Sequence, residues 1–469
     1  MNHDKARRSS LIDKVRHRIK QSRMLEKGDT VVCAVSGGPD SMVMLRLLYA
    51  IKAEFGLKLV VAHLNHNLRG PEALRDCAFV KEAARALGLR FVSRRLVKGE
   101  LDAKGESLQD AARQRRYAFF ADVARRVKAQ RVATGHTLDD QAETVLFRFL
   151  KGASTAGLGG IPPKRGLFIR PIIDVTRAQV EAYAAANKIA SVTDSSNLTD
   201  KYLRNSIRHN LIPVIESGYN PNIKETIGRA AGLMREDNAF LEAVASQAYA
   251  DALTHTNANA QTFSRAKLRV NPSAILSRIF LKAHAALSID SDAYSHDVEA
   301  FVELVSSKRP NMLVKAAGVW ITREYDGVII SSAPISRPDG FCFALKTPGI
   351  VKAKDAGFIL KAVIMKMPPA SLDAGPDIAF FDYEAVTGAI VVRPYRPGDR
   401  MRPIGMKGHK KIKDIYIDAH LPASIRPAIP LLLCNDAVIW AAGVKRSDMF
   451  KVTRQTKRVL RVEYRRTAL

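Results

Sequence analysis

The chain has 469 residues, enough for several domains, and 47% of them are hydrophobic, as expected of a folded protein. No apolar run approaches the roughly 18 residues that a membrane-spanning helix needs, and four widely spaced cysteines without a CxxC pair argue against zinc, iron–sulfur and disulfide frameworks. The formal net charge of +28 indicates a polyanionic partner, without separating RNA, DNA and an anionic membrane surface.

The first predicted element is a short amphipathic helix near the N-terminus. Leu11, Val15 and Ile19 recur there at helical spacing within a basic segment. This segment lacks the apolar core of a signal peptide. Together with the cysteine pattern, this predicts a cytoplasmic protein that binds no membrane.

From residue 30 to residue 194, predicted strands alternate with segments of helical length. The strands are 31–35, 59–63, 90–94 and 132–135, and the helical segments include 41–55, 71–87 and 107–127. This alternation predicts an α/β fold with an N-terminal doubly wound, Rossmann-like parallel sheet. Ligands of such sheets bind at the carboxyl ends of the strands.

A glycine-containing turn follows the first predicted strand and leads directly into a helix. Its residues are Ser36, Gly37, Gly38, Pro39, Asp40 and Ser41. Glycines let backbone N–H groups approach an anion, and a helix N-terminus adds free donors and a positive dipole. The serine hydroxyls add donors, and Asp40 adds a carboxylate where phosphate oxygens and Mg²⁺ would lie. The turn therefore predicts a phosphate site. The alternative is an ordinary strand-to-helix turn that uses the two glycines for its shape and Ser41 as a helix cap.

The turn is similar to the SGGxDS signature of the PP-loop ATP-pyrophosphatases, which split ATP into AMP and pyrophosphate to activate an oxygen. Its spacing differs from the P-loop pattern GxxxxGK[ST], and neither GKS nor GKT occurs in the chain. The resemblance implies that residues 36–41 bind ATP and that Asp40 handles Mg²⁺ or pyrophosphate.

The fourth predicted strand ends at Gly135 and His136, where an acidic segment begins a helix. Asp140 and Glu143 are three residues apart and therefore share one helix face. A carboxylate pair beside a phosphate loop can hold a cationic substrate, Mg²⁺ or both, although Asp139 and Asp140 would also serve as helix caps. His136 is placed either to act on protons or phosphate or to support the structure.

Beyond the parallel sheet, the chain reads as helical from residue 220 to about residue 304, and as short strands over 309–332. Prolines and glycines mark linkers at 333–348 and 368–376, and residues 390–469 read as a small α/β module.

These patterns predict three domains. They are a catalytic domain at 1–215, a mainly helical linker or substrate-binding domain at 216–335, and a basic α+β domain at 336–469 with its core at about 386–466. Residues 396–469 hold 17 Lys and Arg against 6 Asp and Glu, more than an even spread of charge would place there. The last domain is therefore expected to contact the polyanion.

Three motifs together resemble those of the tRNA(Ile)-lysidine synthetases, a family of bacterial PP-loop enzymes. They occupy residues 36–41, 63–70 and 135–144. Further matches are 111–117, 157–162 with Arg170 and Pro171, 194–197 with 202–208, and 396–400 with 408–414. The matches are dense at both ends of the chain and sparse over 220–385.

The resemblance implies that the wobble cytidine of an isoleucine tRNA with a CAU anticodon is adenylated at O2, and that the ε-amine of free lysine then displaces AMP. The product, lysidine, changes the codon read from AUG to AUA. Lysine binding falls to Asp140 and Glu143. The residues implied in catalysis are Asp40, Arg116, His136, Asp140, Glu143 and Arg208. Those implied in phosphate or tRNA contact are Arg113, Arg204, Arg400, Lys410, Lys411 and Lys413.

Three alternatives stay open. A PP-loop enzyme that thiolates cytidine or uridine in tRNA would need a reactive cysteine or cluster ligands, which the absence of CxxC disfavours. An amide-forming PP-loop synthetase would not need a basic C-terminal module. A non-catalytic RNA-binding protein on this scaffold would not need the acids and the histidine to be intact. A homodimer is compatible with the sequence.

Overall fold

The computed structural model describes residues 2–67, 70–97, 100, 108–192, 203–289, 291–309, 311–334, 340–369 and 371–467, with side chains throughout except at 2–10 and 108–109. The chain forms two compact units, Met1–Phe240 and Leu241–Leu469. Among the described residues, no helix is both long and apolar enough to cross a membrane. The three-domain division at residues 215 and 335 remains a prediction.

The first unit is built on a six-stranded sheet. Its strands are β1 (Thr30–Ala34), β2 (Lys58–Asn65), β3 (Arg90–Arg95), β4 (Arg131–Thr134), β5 (Lys164–Arg165) and β6 (Phe168–Ile169). The strand order is β3-β2-β1-β4-β6-β5, and every pairing is parallel except β5 with β6. This confirms the doubly wound parallel sheet, and each of its four predicted strands is observed within about two residues of the predicted bounds.

Helices cover both faces of this sheet. Helices α1 (Asn2–Gln21), α2 (Pro39–Ala50), α4 (Pro71–Ala86) and α8 (Arg177–Ala186) pack on one face, and α5 (Leu108–Arg126) packs on the other. The chain also forms α3 (Lys52–Phe55), α6 (Leu138–Leu150), α7 (Thr155–Leu158), α9 (Leu203–Ser206), a π-helical turn (Ile207–Leu211), α10 (Ile212–Gly218) and α11 (Ile223–Ala252), whose last residues belong to the second unit. Side chains of β1 alternate between two cores, with Val31 and Cys33 on one face and Val32 and Ala34 on the other. Burial on both faces explains why these strands read as continuous apolar runs.

The predicted N-terminal helix is also confirmed. Leu11, Val15 and Ile19 are all buried in the core that α1 shares with α2 and α8. Their helical spacing therefore marks the face of α1 that packs against the domain.

The second unit begins with a five-stranded sheet, of which the sequence predicted only the strands after residue 309. Its strands are β7 (Leu253–Thr256), β8 (Ala260–Ser264), β9 (Asn311–Ala316), β10 (Val319–Glu324) and β11 (Gly327–Ser331), and its helices are α12 (Arg265–Arg269), α13 (Ser273–Ala286) and α14 (Ser295–Ser306). The prediction of helix throughout 220–304 is wrong at β7 and β8. A turn joins these strands, and the side chain of Asn257 accepts hydrogen bonds there from the N–H groups of Asn259 and Ala260.

The rest of the second unit contains two further sheets. The first has β12 (Phe343–Leu345), β16 (Ile390–Arg393), β19 (Leu431–Cys434), β20 (Ala437–Ala441) and β21 (Lys445–Arg446), and the second has β13 (Gly349–Ala353), β14 (Phe358–Met365), β15 (Ile378–Asp382) and β22 (Val459–Arg466). A short hairpin, β17 (Arg400–Met401) with β18 (Lys410–Lys411), leads into α15 (Ile412–Asp418). Both larger sheets contribute to one core.

The predicted small module at 390–469 shares a sheet with earlier strands, and its bounds as a module stay a prediction. Strand β22 lies between β14 and β15 and pairs with both. The last strand of the chain therefore completes a sheet whose other strands all precede residue 390.

Candidate active site

The carboxyl ends of β1, β2 and β4 open onto a cavity of about 770 Å³ in the first unit. Its lining includes the turn after β1, the start of α6 and part of α5. Ser36, Gly38, Pro39, Asp40, Ser41, Arg113, Arg116, His136, Asp140, Arg204 and Arg208 all line it. The cavity thus occupies the predicted edge of the sheet and joins most of the predicted site residues of this unit.

The turn at 36–41 is held closed by its own hydroxyl groups. Gly37 has φ +101°, a conformation that favours glycine, and Pro39 occupies the first position of α2. The Ser41 hydroxyl donates to the Gly38 carbonyl at 3.0 Å and accepts from the Ser36 N–H at 3.2 Å. An incoming phosphate would exchange these internal bonds for bonds to its own oxygens.

Gly135 fixes the end of β4 against the start of α2. A Cβ at this position would lie 3.0 Å from the Ser41 nitrogen and 3.1 Å from the Asp40 carbonyl carbon. A side chain here would force the backbone at the start of α2 to shift by a few tenths of an ångström, so Gly135 allows the close approach that brings the phosphate loop next to the segment leading into α6. Sequence reasoning assigned no role to this glycine, because the contact is made between distant segments.

Asp40 is a partly buried carboxylate with an incomplete set of partners. Its Oδ2 lies 3.4 Å from a guanidinium nitrogen of Arg177, and its Oδ1 is buried without a hydrogen-bond partner in the described structure. Burial raises the pKa of Asp40, an effect that Arg177 opposes and Asp140 reinforces. Sequence reasoning missed Arg177, which is 137 residues from Asp40 and belongs to none of the motifs.

His136 is neutral at pH 7. Its Nδ1 lies 2.9 Å from the Thr134 hydroxyl. Burial lowers the pKa of His136 to about 4, an effect that Asp140 opposes and that the charges of Arg170, Arg113 and Arg116 reinforce. The imidazole therefore lines the cavity with a ring nitrogen able to accept a proton.

Asp140 serves as a helix cap and as a cavity-lining acid. Its Oδ2 accepts from the Thr137 N–H at 2.9 Å, forming a capping box with Thr137. Its Oδ1 lies 3.5 Å from Arg204 and 3.6 Å from Arg208. Burial would raise the pKa of Asp140, but His136, the Thr137 N–H and the two arginines together lower it. Both sequence interpretations of this residue, as a cap and as part of the site, therefore match its contacts.

Glu143 lies deeper than Asp140. Its side chain is only 1% exposed, and it is absent from the cavity lining. Arg208 binds it through two nitrogens, Nε and a terminal nitrogen at 3.0 Å, and Arg204 donates to it through Nε at 3.1 Å. Glu143 therefore holds two arginines at the cavity wall.

Arg113 and Arg116 present positive charge from α5. The Arg113 guanidinium stacks over the Tyr117 ring, 5.0 Å from its centroid. Burial, with the charges of Arg113 and Arg204, lowers the pKa of Arg116. Positive charges crowded in this way favour an anion between them.

The glycine-rich segment 157–162 holds α6 in place rather than lining the cavity. Arg148 of α6 donates to the carbonyls of Gly157 and Gly160 at 2.8 and 2.9 Å, and Gln141 of α6 accepts from the Ile161 N–H at 2.6 Å. Arg170 donates to the Pro162 carbonyl at 2.7 Å. This motif thus supports the helix that carries the two acids.

The predicted C-terminal contacts lie in the second unit. Arg400 and Lys411 lie opposite each other in the β17–β18 hairpin, and both side chains are exposed. Lys413 on α15 is also exposed, whereas Lys410 forms an ion pair with Asp418. Of the remaining motif residues, 68–69, 194–197 and Tyr202 lie outside the described residues.

Two family models match the chain. Residues 10–215 match the PP-loop domain, and residues 390–464 match the TilS substrate C-terminal domain. These matches fall on the parallel sheet and on the basic end of the second unit.

Proteins named tRNA(Ile)-lysidine synthase are similar to the chain over nearly its whole length. The one from Geobacter sulfurreducens is 35% identical over 464 residues, and the one from Caldanaerobacter subterraneus subsp. tengcongensis is 32% identical over 460 residues. The one from Symbiobacterium thermophilum is 34% identical over 476 residues. Each alignment covers 97% of this chain and 98% of the relative, so it includes the 220–385 region where motifs are sparse.

Proposed function

The chain belongs to the tRNA(Ile)-lysidine synthase family, and we propose that it uses ATP to join free L-lysine to C2 of the wobble cytidine in an isoleucine tRNA with a CAU anticodon. The observation that carries this proposal is the shared cavity, where the phosphate loop 36–41, Asp140, His136 and several arginines line one space. Activation and amine transfer need adjoining sites, because the amine attacks the carbon that bears the activated oxygen.

In the first step, cytidine O2 attacks the α-phosphorus of ATP, the bond from that phosphorus to the β-phosphate oxygen breaks, and pyrophosphate leaves, which gives an adenylated tRNA. The backbone and hydroxyl donors of 36–41 bind the phosphates. Arg113 and Arg116 offset the charge that develops during transfer. The wobble base must leave the anticodon stack to reach the cavity, as unpaired loop bases can.

Asp40 fits a role in holding Mg²⁺. One of its oxygens is buried without a partner in the described structure, and carboxylate oxygen is a ligand that Mg²⁺ prefers. The described residues include no cluster of three or more His, Cys, Asp or Glu suited to a metal. Mg²⁺ in such a site is held by one or two carboxylates together with substrate phosphates, whose charge it offsets.

In the second step, the lysine ε-nitrogen bonds to C2, the C2–O2 bond breaks, and AMP leaves with that oxygen. Asp140 binds the ammonium group, and neutral His136 is positioned to accept the proton that the amine loses. The direct binding of lysine by Glu143 stays a prediction. Its contacts support a role in holding Arg204 and Arg208.

The cysteines argue against thiolation. Cys33 is buried in β1, and burial raises its pKa to about 12. Within the described part of the chain, no cysteine lines the cavity. A sulfur-transfer enzyme would need a thiolate or a cluster ligand near the phosphate loop.

The basic hairpin and helix of the second unit are proposed to contact tRNA phosphates. Arg400, Lys411 and Lys413 are exposed there. Such contacts position an RNA without reading its sequence. A homodimer likewise stays a prediction.

The test is transfer of radiolabelled lysine to tRNA in the presence of ATP and Mg²⁺. We expect label in the CAU isoleucine tRNA and none in the same transcript with uridine in place of the wobble cytidine. AMP and pyrophosphate should form in amounts equal to the lysine incorporated. Absence of label from the cytidine transcript would refute the proposal, and equal label in both transcripts would refute the assigned position.

A further inference from the structure

Two acids and two arginines form a closed cluster at the wall of the cavity. Arg204 contacts both acids, with Nε 3.1 Å from Glu143 and a terminal nitrogen 3.5 Å from Asp140. Arg208 also contacts both acids. The cluster therefore contains two negative and two positive charges, and its net charge is zero.

This balance opposes the binding of an amine. If the proposed function is correct, a lysine ammonium must bind at Asp140. Adding that ammonium to the closed cluster would leave one uncompensated positive charge in a largely buried setting, which is unfavourable. One arginine must therefore leave its acid before lysine binds well.

Arg204 is the arginine that is easier to displace. Its side chain is 44% exposed, whereas that of Arg208 is 22% exposed. Arg208 binds Glu143 through two nitrogens, and Arg204 makes one contact to each acid. The two-point pair is the stronger of the two arrangements.

A second partner for Arg204 lies in the same cavity. Arg204 lines it together with Arg116 and the phosphate loop 36–41. Burial lowers the pKa of Arg116, and the charges of Arg113 and Arg204 add to this effect. A nucleotide triphosphate bound among these groups would offer Arg204 more negative charge than the two acids do.

We infer that Arg204 is an internal counter-ion of the amine site: it occupies Asp140 until the phosphates of ATP draw it away, so that lysine binds well only after the nucleotide. This inference rests on the proposed function and adds an order of binding to it. On this inference the cluster of acids and arginines blocks the amine site until an activating nucleotide is present.

The experiment measures lysine affinity of the full chain by equilibrium dialysis, with and without α,β-methylene-ATP and Mg²⁺. In the unmodified protein the analogue should tighten lysine binding by at least about tenfold, within the range typical of coupling between two sites. Arg204→Gln should bind lysine without the analogue as tightly as the unmodified protein does with it. In this variant the two conditions should differ by less than about twofold.

Two further variants separate charge from shape. Arg204→Lys keeps the positive charge and should keep most of the dependence on the analogue. Arg126→Gln removes an exposed arginine that pairs with Asp122 on α5, away from the cavity lining, and should behave like the unmodified protein.

Three results would overturn the inference. The first is equal lysine affinity of the unmodified protein with and without the analogue. The second is that Arg204→Gln, without the analogue, binds lysine no more tightly than the unmodified protein does. The third is that Arg204→Lys loses the effect of the analogue on lysine affinity as fully as Arg204→Gln does. Measuring the transfer of lysine to tRNA with the same preparations distinguishes failure of this inference from failure of the proposed function. Lysine incorporated into tRNA with any of these results would leave the function standing and remove only the order of binding.

Discussion

At the scale of single residues, the cavity separates three titratable groups by their surroundings. Asp40 is partly buried beside one arginine and has one oxygen without a partner in the described structure, Asp140 is partly buried among several donors, and His136 is partly buried between Asp140 and several arginines. Burial therefore raises the pKa of Asp40 and keeps the His136 imidazole neutral. At Asp140 the neighbouring donors and charges outweigh burial and lower the pKa. Each group should fail in a different way when it is changed.

Asp40→Asn is expected to slow adenylation of tRNA by at least about 100-fold, the size of effect that follows loss of one charge-stabilising group. The oxygen that would bind Mg²⁺ or orient pyrophosphate is lost, while the surface of the second unit that is proposed to bind tRNA is unchanged. Formation of AMP-tRNA and tRNA affinity are the two measurements. Near-normal formation of AMP-tRNA would contradict the role given to Asp40.

Asp140→Asn is expected to raise the KM for lysine by about 30-fold or more, because loss of one partner from a buried charge pair costs about 2–5 kcal/mol. Adenylated tRNA should then accumulate at low lysine concentration. The KM for ATP serves as the internal control and should change much less. A loss of ATP binding with an unchanged KM for lysine would instead identify Asp140 as a metal ligand.

His136 is expected to make the fold sensitive to acid. Its pKa is about 4 in the folded chain, against an ordinary value of 6.5, so the unfolded chain binds the extra proton first as the pH falls. This contribution to stability is present above pH 6.5 and is lost progressively between pH 6.5 and pH 4. His136→Gln should therefore show a smaller fall in the free energy of unfolding between pH 7 and pH 4.5, measured by urea denaturation. An unchanged fall would show that His136 is not buried as a neutral imidazole.

At the scale of elements, the site depends on how β4, α2 and α6 meet. The capping box of Thr137 and Asp140 starts α6, Gly135 lets β4 approach α2, and the 157–162 segment is hydrogen-bonded to side chains of α6. These contacts keep the acids at a fixed distance from the phosphate loop.

Gly135→Ala is expected to lower the free energy of unfolding by about 1–3 kcal/mol, the usual cost of forcing an extra carbon into a packed site. It should also weaken ATP binding, because backbone atoms of Asp40 and Ser41 must shift to accommodate the new methyl group. Gly218→Ala is the matched control, since nothing lies within 4 Å of the added carbon there. Equal effects of the two substitutions on ATP affinity would show that this contact does not shape the loop.

At the scale of the whole molecule, the position of β22 decides how tRNA binding by the second unit can be tested. Truncation before residue 386 would remove β22, the strand that pairs with both β14 and β15. It would also remove about half of the buried residues in the core that the two C-terminal sheets share. Loss of tRNA binding by such a truncation would therefore report unfolding as readily as loss of contacts, and surface substitutions are the better test.

The triple variant Arg400→Gln, Lys411→Gln and Lys413→Gln is expected to weaken tRNA binding and to flatten its dependence on salt, with the slope of log K against log salt reduced by up to about three. Lys354→Gln, Lys361→Gln and Lys366→Gln remove the same charge from other exposed positions of the second unit and form the matched control. ATP binding by the first unit should be unchanged in both triple variants. Equal slopes for the two triple variants would show that the hairpin and α15 are not a phosphate-binding face.

The sequence by itself determined the parallel sheet, the phosphate loop and the placing of an acidic helix beside it. These features depend on short-range patterns: β-branched runs buried on both faces, glycines in a turn, and acids spaced along one helix. The family, too, follows from local motifs at 36–41 and 135–144.

Only the tertiary structure decided which charges meet and which strands pair. Arg177 reaches Asp40 across 137 residues, Arg204 and Arg208 neutralise acids on α6, and β22 enters a sheet formed by much earlier strands. The sequence of an arginine or a strand does not indicate its partner, because that partner depends on how distant segments pack. The division of labour between Asp140 and Glu143 is of this kind, since only burial and the contacts of the arginines distinguish the acid at the cavity from the acid behind it.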